Sequence, residues 1–113
     1  MEKNTKRTCT LEKQIASIKK EINALDDLRR GSLSKQYNIC GTAGCKCKAS
    51  VPKKHGPYYQ LSFTKNGKSS TKFVNNRNAK AVSRQVKNYT RLRNLVNKWV
   101  ELGTELSDLR LSN

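Results

Sequence analysis

Three cysteines and the single histidine of the chain fall in one segment, CGTAGCKCKASVPKKH, as Cys40, Cys45, Cys47 and His55. The spacing is C-x4-C-x-C-x7-H. Three thiolates and an imidazole form a complete tetrahedral set for zinc, and four protein ligands leave no open position for catalysis. Gly41 and Gly44 lie between the first two cysteines, where a chain must curl tightly to aim two sulfurs at one ion. The C-x-C pair can present both thiolates if the backbone turns at Lys46, and the neighbouring lysines favour the ionised thiol. A structural zinc here would close a long loop and contribute on the order of ten kcal/mol to folding. The alternatives are unliganded thiols beside a surface histidine, or a redox role, although Cys45 and Cys47 are too close in sequence for a relaxed disulfide. Cys9 stands apart near the N-terminus and has no assigned role.

The charge around this segment has one sign. The chain carries 24 Lys and Arg against 8 Asp and Glu, a net +16, with a pI near 10.1. From Leu28 to Val100 there is no acid at all, while that span holds 17 Lys and Arg. Such self-repulsion disfavours a compact state unless a polyanion relieves it, and nucleic acid is the obvious polyanion. The basic residues sort into two groups. Lys35, Lys46, Lys48, Lys53, Lys54, Lys65, Lys68 and Lys72 belong to the loop and the segment after it. Arg77, Lys80, Arg84, Lys87 and Arg91 belong to a later helical stretch, with Arg77, Arg84 and Arg91 recurring every seven residues. A helix bearing such a stripe can lie along a phosphate backbone or enter a major groove. Tyr58 could stack on an exposed base if the target is single-stranded. An enzyme is not expected: nucleases and polymerases hold Mg²⁺ with carboxylates, which the middle of the chain lacks, and no phosphate-loop, nucleophile-elbow or dinucleotide fingerprint is present.

These residues must be positioned by a small scaffold. The 113 residues suffice for one domain, 1–113, with a thin core at 35% hydrophobic content. Residues 1–9 read as a flexible tail. Leu11, Ile15, Ile18, Ile22 and Leu25 follow steps of 4, 3, 4 and 3, which predicts a helix over 10–30, with Thr10 as N-cap and Gly31 as C-cap. Residues 31–57 lose periodicity and read as the cysteine/histidine loop. In 58–74, Tyr59, Leu61 and Phe63 alternate with polar residues. Asn66-Gly67 is a type I′ turn signal, predicting a hairpin in which Tyr59 faces Val74, Leu61 faces Lys72, Phe63 faces Ser70 and Lys65 faces Lys68. The stripe Val82, Val86, Tyr89, Leu92, Val96, Trp99, Leu102, Leu106, Leu109 predicts a long helix over 78–110. About a third of it would project beyond the first helix, so Leu102, Leu106 and Leu109 would need cover from a homodimer or a partner protein.

The run GSLSKQYNICGTAGCKCKA, then HGPYYQLSFTKNGKSSTKFV, then a long basic helix, resembles a family of small uncharacterised bacterial proteins often encoded near transposase and integrase genes. The resemblance spans about residues 28–110 and rests on C-G-x3-C-x-C, H-G-P-Y-Y and the G-K-S hairpin. It implies that Cys40, Cys45, Cys47 and His55 are the metal set and that the setting is a mobile element.

The expected fold class is therefore α+β: two long antiparallel helices, a coiled-coil-like hairpin, flanking a zinc-stapled loop and a two-stranded β-hairpin. The expected function is nucleic-acid binding, with double-stranded DNA favoured and structural Zn²⁺ as cofactor. The alternatives are a structured-RNA-binding or ribonucleoprotein subunit and an accessory subunit of a larger nucleic-acid-processing enzyme. The opening MEKNTKRTCT has no apolar region of a signal peptide, and no apolar run reaches membrane-spanning length. The expected location is the cytoplasm, nucleoid-associated if DNA is bound, with no membrane partner.

Overall fold

The computed structural model describes residues 2–38 and 55–112, and within them the side chains of residues 5–37 and 56–112. The elements are α1 (Glu2–Asn23), β1 (Ser32–Asn38), β2 (His55–Lys65), β3 (Lys68–Val74) and α2 (Asn76–Leu111). The chain divides into two compact units. One comprises Met1–Leu28 with Asn88–Asn113, and the other Arg29–Lys87.

The helical unit is held by one apolar seam. Leu11, Ile15 and Ile18 from α1 pack with Leu95, Leu102 and Leu106 from α2, and Ile22, Leu25 and Leu109 close the margins. Leu11 is fully buried, so truncating it to alanine removes on the order of 2–5 kcal/mol. Ion pairs fix the antiparallel sense: Arg7 meets Glu105 through two bonds of 2.7 and 2.8 Å, and Arg91 meets Glu21 at 2.7 Å. A third pair joins Arg110 to Glu12 at 2.8 Å.

α1 starts earlier and stops earlier than its periodicity predicted. The region expected as a flexible tail is helical from Glu2, and Thr10 lies in the helix interior, donating its hydroxyl to the Lys6 carbonyl at 3.0 Å rather than capping. The early start supplies the extra turns that cover the end of α2. Leu102 and Leu106 are 8% and 6% exposed and Leu109 packs against them, so the expected need for a partner at these three leucines is removed. The seam also runs through Leu95, while Val96 and Trp99 are 39% and 36% exposed.

The second unit is a three-stranded antiparallel sheet in the order β1-β2-β3, with the first turns of α2 on one face. This corrects the expected fold class of a two-stranded hairpin beside a zinc-stapled loop. Residues 32–38, read as loop, pair with β2 in the register Leu33↔Leu61, Lys35↔Tyr59 and Gln36↔Tyr58, and β2 begins at His55 rather than Tyr58. The segment SLSKQYN holds no β-branched residue, so its intrinsic strand preference is weak, and the open edge of β2 supplies the pairing that its composition does not. Among the described residues no group of three or more His, Cys, Asp and Glu could hold a metal. Cys40, Cys45, Cys47 and the His55 side chain lie outside the described residues.

The β2–β3 register is the predicted one: Tyr59↔Val74, Leu61↔Lys72, Phe63↔Ser70 and Lys65↔Lys68. Asn66 and Gly67 have φ of 52° and 78°, the positive values a type I′ turn demands. Leu61, Val74, Ala79 and Val82 form the small core, with Leu33, Tyr59, Phe63 and Val86 packed on it. Gly31 leads into β1 at φ 135°. A Cβ there would lie 2.7 Å from the Ser62 carbonyl oxygen and 2.9 Å from Leu61.

Gly31→Ala therefore combines backbone strain with a backbone clash and should cost at least about 2 kcal/mol in urea unfolding. Gly67→Ala, with positive φ but open space around it, should cost about half of that or less. Equal losses at both sites would show that the close approach at Gly31 is absent in solution. The hydrogen bond from Arg7, reinforced by its charge, holds the Glu105 carboxyl below its ordinary value against a smaller opposing effect of burial. A depressed folded value means that the pair stabilises above the ordinary carboxylate range and is lost as pH falls through the folded value. A carboxyl NMR titration should find Glu105 low in the wild type and back at its ordinary value in Arg7→Gln. An ordinary value in both would remove the pair.

Candidate nucleic-acid interface

The first turns of α2 position the largest group of described cations. Asn75 caps the helix: its side-chain oxygen accepts from the Arg77 N–H at 3.1 Å, and the Asn78 N–H donates to the Asn75 carbonyl at 2.8 Å. From there Ala79, Val82 and Val86 face the sheet core. Arg77, Lys80, Arg84 and Lys87 follow at steps of 3, 4 and 3, which place them on one face of the helix, and all four are exposed. Together with Leu33 and Tyr59 of the sheet and with Asn76, Ala79, Ala81 and Ser83, they line a groove of about 760 Å³. The first turn of α2 carries no acid, so the positive end of the helix dipole adds to the side-chain charge.

The charge segregation follows the division into units. The unit Arg29–Lys87 contains 14 of the 24 Lys and Arg and none of the 8 acids. Within it, Arg29 donates to the Gln85 side chain at 2.9 Å and Arg30 to the Thr64 carbonyl at 3.3 Å, so these two hold the chain rather than line the groove. Lys35 lies opposite Tyr59 on β1, 5.8 Å from the Tyr37 ring, and its hydrogen bond to Tyr37 holds its ammonium above the ordinary value. Lys65 and Lys68 face each other at the hairpin tip, and Lys72 is exposed on the edge strand opposite Leu61. Lys46, Lys48, Lys53 and Lys54 lie outside the described residues.

Arg91 does not join the stripe. It belongs to the helical unit and is ion-paired with Glu21. Arg93 lies 5.9 Å from the Tyr89 ring and Lys98 pairs with Glu101 at 3.8 Å. The seven-residue recurrence that linked Arg77, Arg84 and Arg91 thus crosses from one unit to the other, and the coherent set is Arg77, Lys80, Arg84 and Lys87.

The sheet's other face went unrecognised in the sequence. Strand alternation puts Ser32, Ser34 and Gln36 of β1, Tyr58, Gln60, Ser62 and Thr64 of β2, and Ser69, Thr71 and Phe73 of β3 on the side away from α2. None of these ten is buried and none is charged. The hairpin register already implied this, because Tyr59 and Val74 facing inward turn Tyr58 and Phe73 outward.

The arrangement defines a basic α+β chain whose net charge concentrates on one unit. The chain belongs to the family described as a domain of unknown function (DUF6788), whose model matches residues 8–84 and so includes the whole sheet and the first turns of α2 through Arg84. No curated protein and no solved structure matches it. Among the described residues no helix is long and apolar enough to cross a membrane.

Proposed function

We propose that this chain binds nucleic acid through the sugar–phosphate backbone, with the groove along Arg77, Lys80, Arg84 and Lys87 as its phosphate-contacting surface. The observation that carries the reading is the complete absence of acids from Arg29–Lys87, a segment that holds 14 cations. A cationic face of this kind is completed by a polyanion, whose released counterions drive binding. Duplex DNA is the leading form, since a helix with four cations on one face fits the regular phosphate rows of a duplex; structured RNA offers the same chemistry. The resemblance noted above adds a mobile-element setting, and DNA binding would make the protein nucleoid-associated in the cytoplasm.

A structural zinc is a separate part of the proposal. It rests on ligand types and spacing, and on the β1–β2 register, which pairs the backbone of His55 with Asn38, two positions before Cys40 in the sequence.

Binding to a mixed-sequence duplex should weaken linearly on a log–log plot against salt. Neutralising Arg77, Lys80, Arg84 and Lys87 to Gln should reduce the steepness by about three to four units, at about 0.9 per phosphate. Arg91→Gln, which removes a cation already paired with Glu21, should change it by less than about one unit. A slope unaltered by the fourfold variant would overturn the groove assignment, and no binding to DNA or RNA would overturn the reading itself. Elemental analysis of protein purified without added metal should find about one zinc per chain, lost in Cys45→Ser. Zinc-free folded protein would remove the metal and leave the phosphate groove standing.

A further inference from the structure

Phe73 is 75% exposed, although its neighbour Val74 is buried in the core. It lies on β3 directly opposite Gln60, and Tyr58, two residues before Gln60 on the same face, is its diagonal neighbour. Diagonal positions on an antiparallel pair are about 7–8 Å apart, within reach of two aromatic rings on one ligand. Tyr58 and Phe73 line one depression of about 530 Å³ with Tyr59, Val74, Asn75 and Asn76. Tyr59 and Asn76 also line the cationic groove, so the aromatic depression and the phosphate groove adjoin through shared walls. All of these residues belong to the acid-free unit.

Isolated exposed aromatics are ordinary. This pair is distinguished by its surroundings. The sheet face around it carries amides and hydroxyls and no charge, with Gln36 donating to Gln60 at 2.8 Å across the centre. An apolar protein partner would find little apolar area beyond the two rings. A membrane surface would find no wide apolar patch. An unpaired base has a flat π-face for an aromatic ring and polar edges for amides and hydroxyls, while its phosphates carry the charge that the adjoining groove lacks.

We propose that the open face of the sheet takes unpaired bases of a single-stranded nucleic acid, stacked on Phe73 and Tyr58, while the phosphates of the same strand run into the groove beginning at Asn76 and Arg77. This rests on the nucleic-acid reading and extends it from the backbone to the bases. It gives the protein two modes: phosphate contact with any nucleic acid, and an added grip where bases are unpaired.

The test uses the full chain and fluorescence anisotropy with four probes: oligothymidine and oligouridine of about 12 nucleotides, an abasic strand of the same length, and a duplex of about 12 base pairs. Phe73→Ala removes no core contact, given its exposure, and should weaken oligothymidine or oligouridine binding about tenfold while leaving duplex affinity within about twofold. Tyr58→Ala should act in the same direction. The homopolymer bound more tightly identifies the preferred sugar. Phe73→Trp should restore affinity, and in a Trp99→Phe background its indole fluorescence should be quenched by the strand with bases and not by the abasic one. If Phe73→Ala binds the homopolymers as the wild type does, or if the abasic strand binds as tightly as oligothymidine while the duplex is still bound, the stacking face is overturned and the phosphate reading survives. If none of the four probes is bound, both are overturned.

Discussion

The burial of Leu61 is the constraint on which the second unit depends. It is 1% exposed and lies in the middle strand, with Leu33 opposite on β1 and Lys72 opposite on β3, under Val74, Ala79 and Val82. Only one face of a three-stranded sheet can be covered by one helix. Seating α2 on Leu61 therefore decides three things together: β1 is recruited to the free edge of β2, the outward stripe of α2 becomes the cationic groove wall, and the opposite face of the sheet stays open. The core is small, so each apolar contact in it carries a large share of the unit's stability.

The acids have an equally definite distribution. Glu12, Glu21 and Glu105 all serve as partners for arginines within the helical unit. Surface pairs of this kind contribute little stability each, but they set the antiparallel sense and consume the chain's few counter-charges there. The other unit contains no acid of its own. A protein selected only for solubility would intersperse the signs, whereas the ion pairs described above all lie in the helical unit.

The hairpin register was legible in the sequence, because Asn66-Gly67 demands one turn type and the alternation of Tyr59, Leu61 and Phe63 then leaves one register, although β2 begins three residues earlier than expected. α2 was legible because its apolar positions repeat from Val82 to Leu109, about eight turns. Its seam was legible only in part: Leu95 and Val96 are adjacent apolar residues about 100° apart on the helix, and periodicity alone chose the wrong one. β1 was hidden by its composition, since a strand with no β-branched residue and with Leu33 and Tyr37 as its only apolar positions owes its form largely to a neighbour's edge. The start of α1 was hidden because Arg7 finds its carboxylate 98 residues away. Of the site, the cations were visible one by one, but which of them act together was not, because their grouping depends on where α2 passes from one unit to the other. The cysteine set was visible as chemistry, and its sulfurs belong to residues outside those described.

Among the described residues the sheet has two unpaired edges, β1 and β3, each able in principle to accept another strand. Lys35 on one, and Lys68 and Lys72 on the other, are the charges that keep foreign strands away. They work by repulsion between like copies, so their protection is colloidal and ends at charge neutrality. Under the proposed binding, such a protein would stay dispersed when either it or a polyanion is in clear excess, and would turn cloudy in between, where the lysines that guard the edges are neutralised.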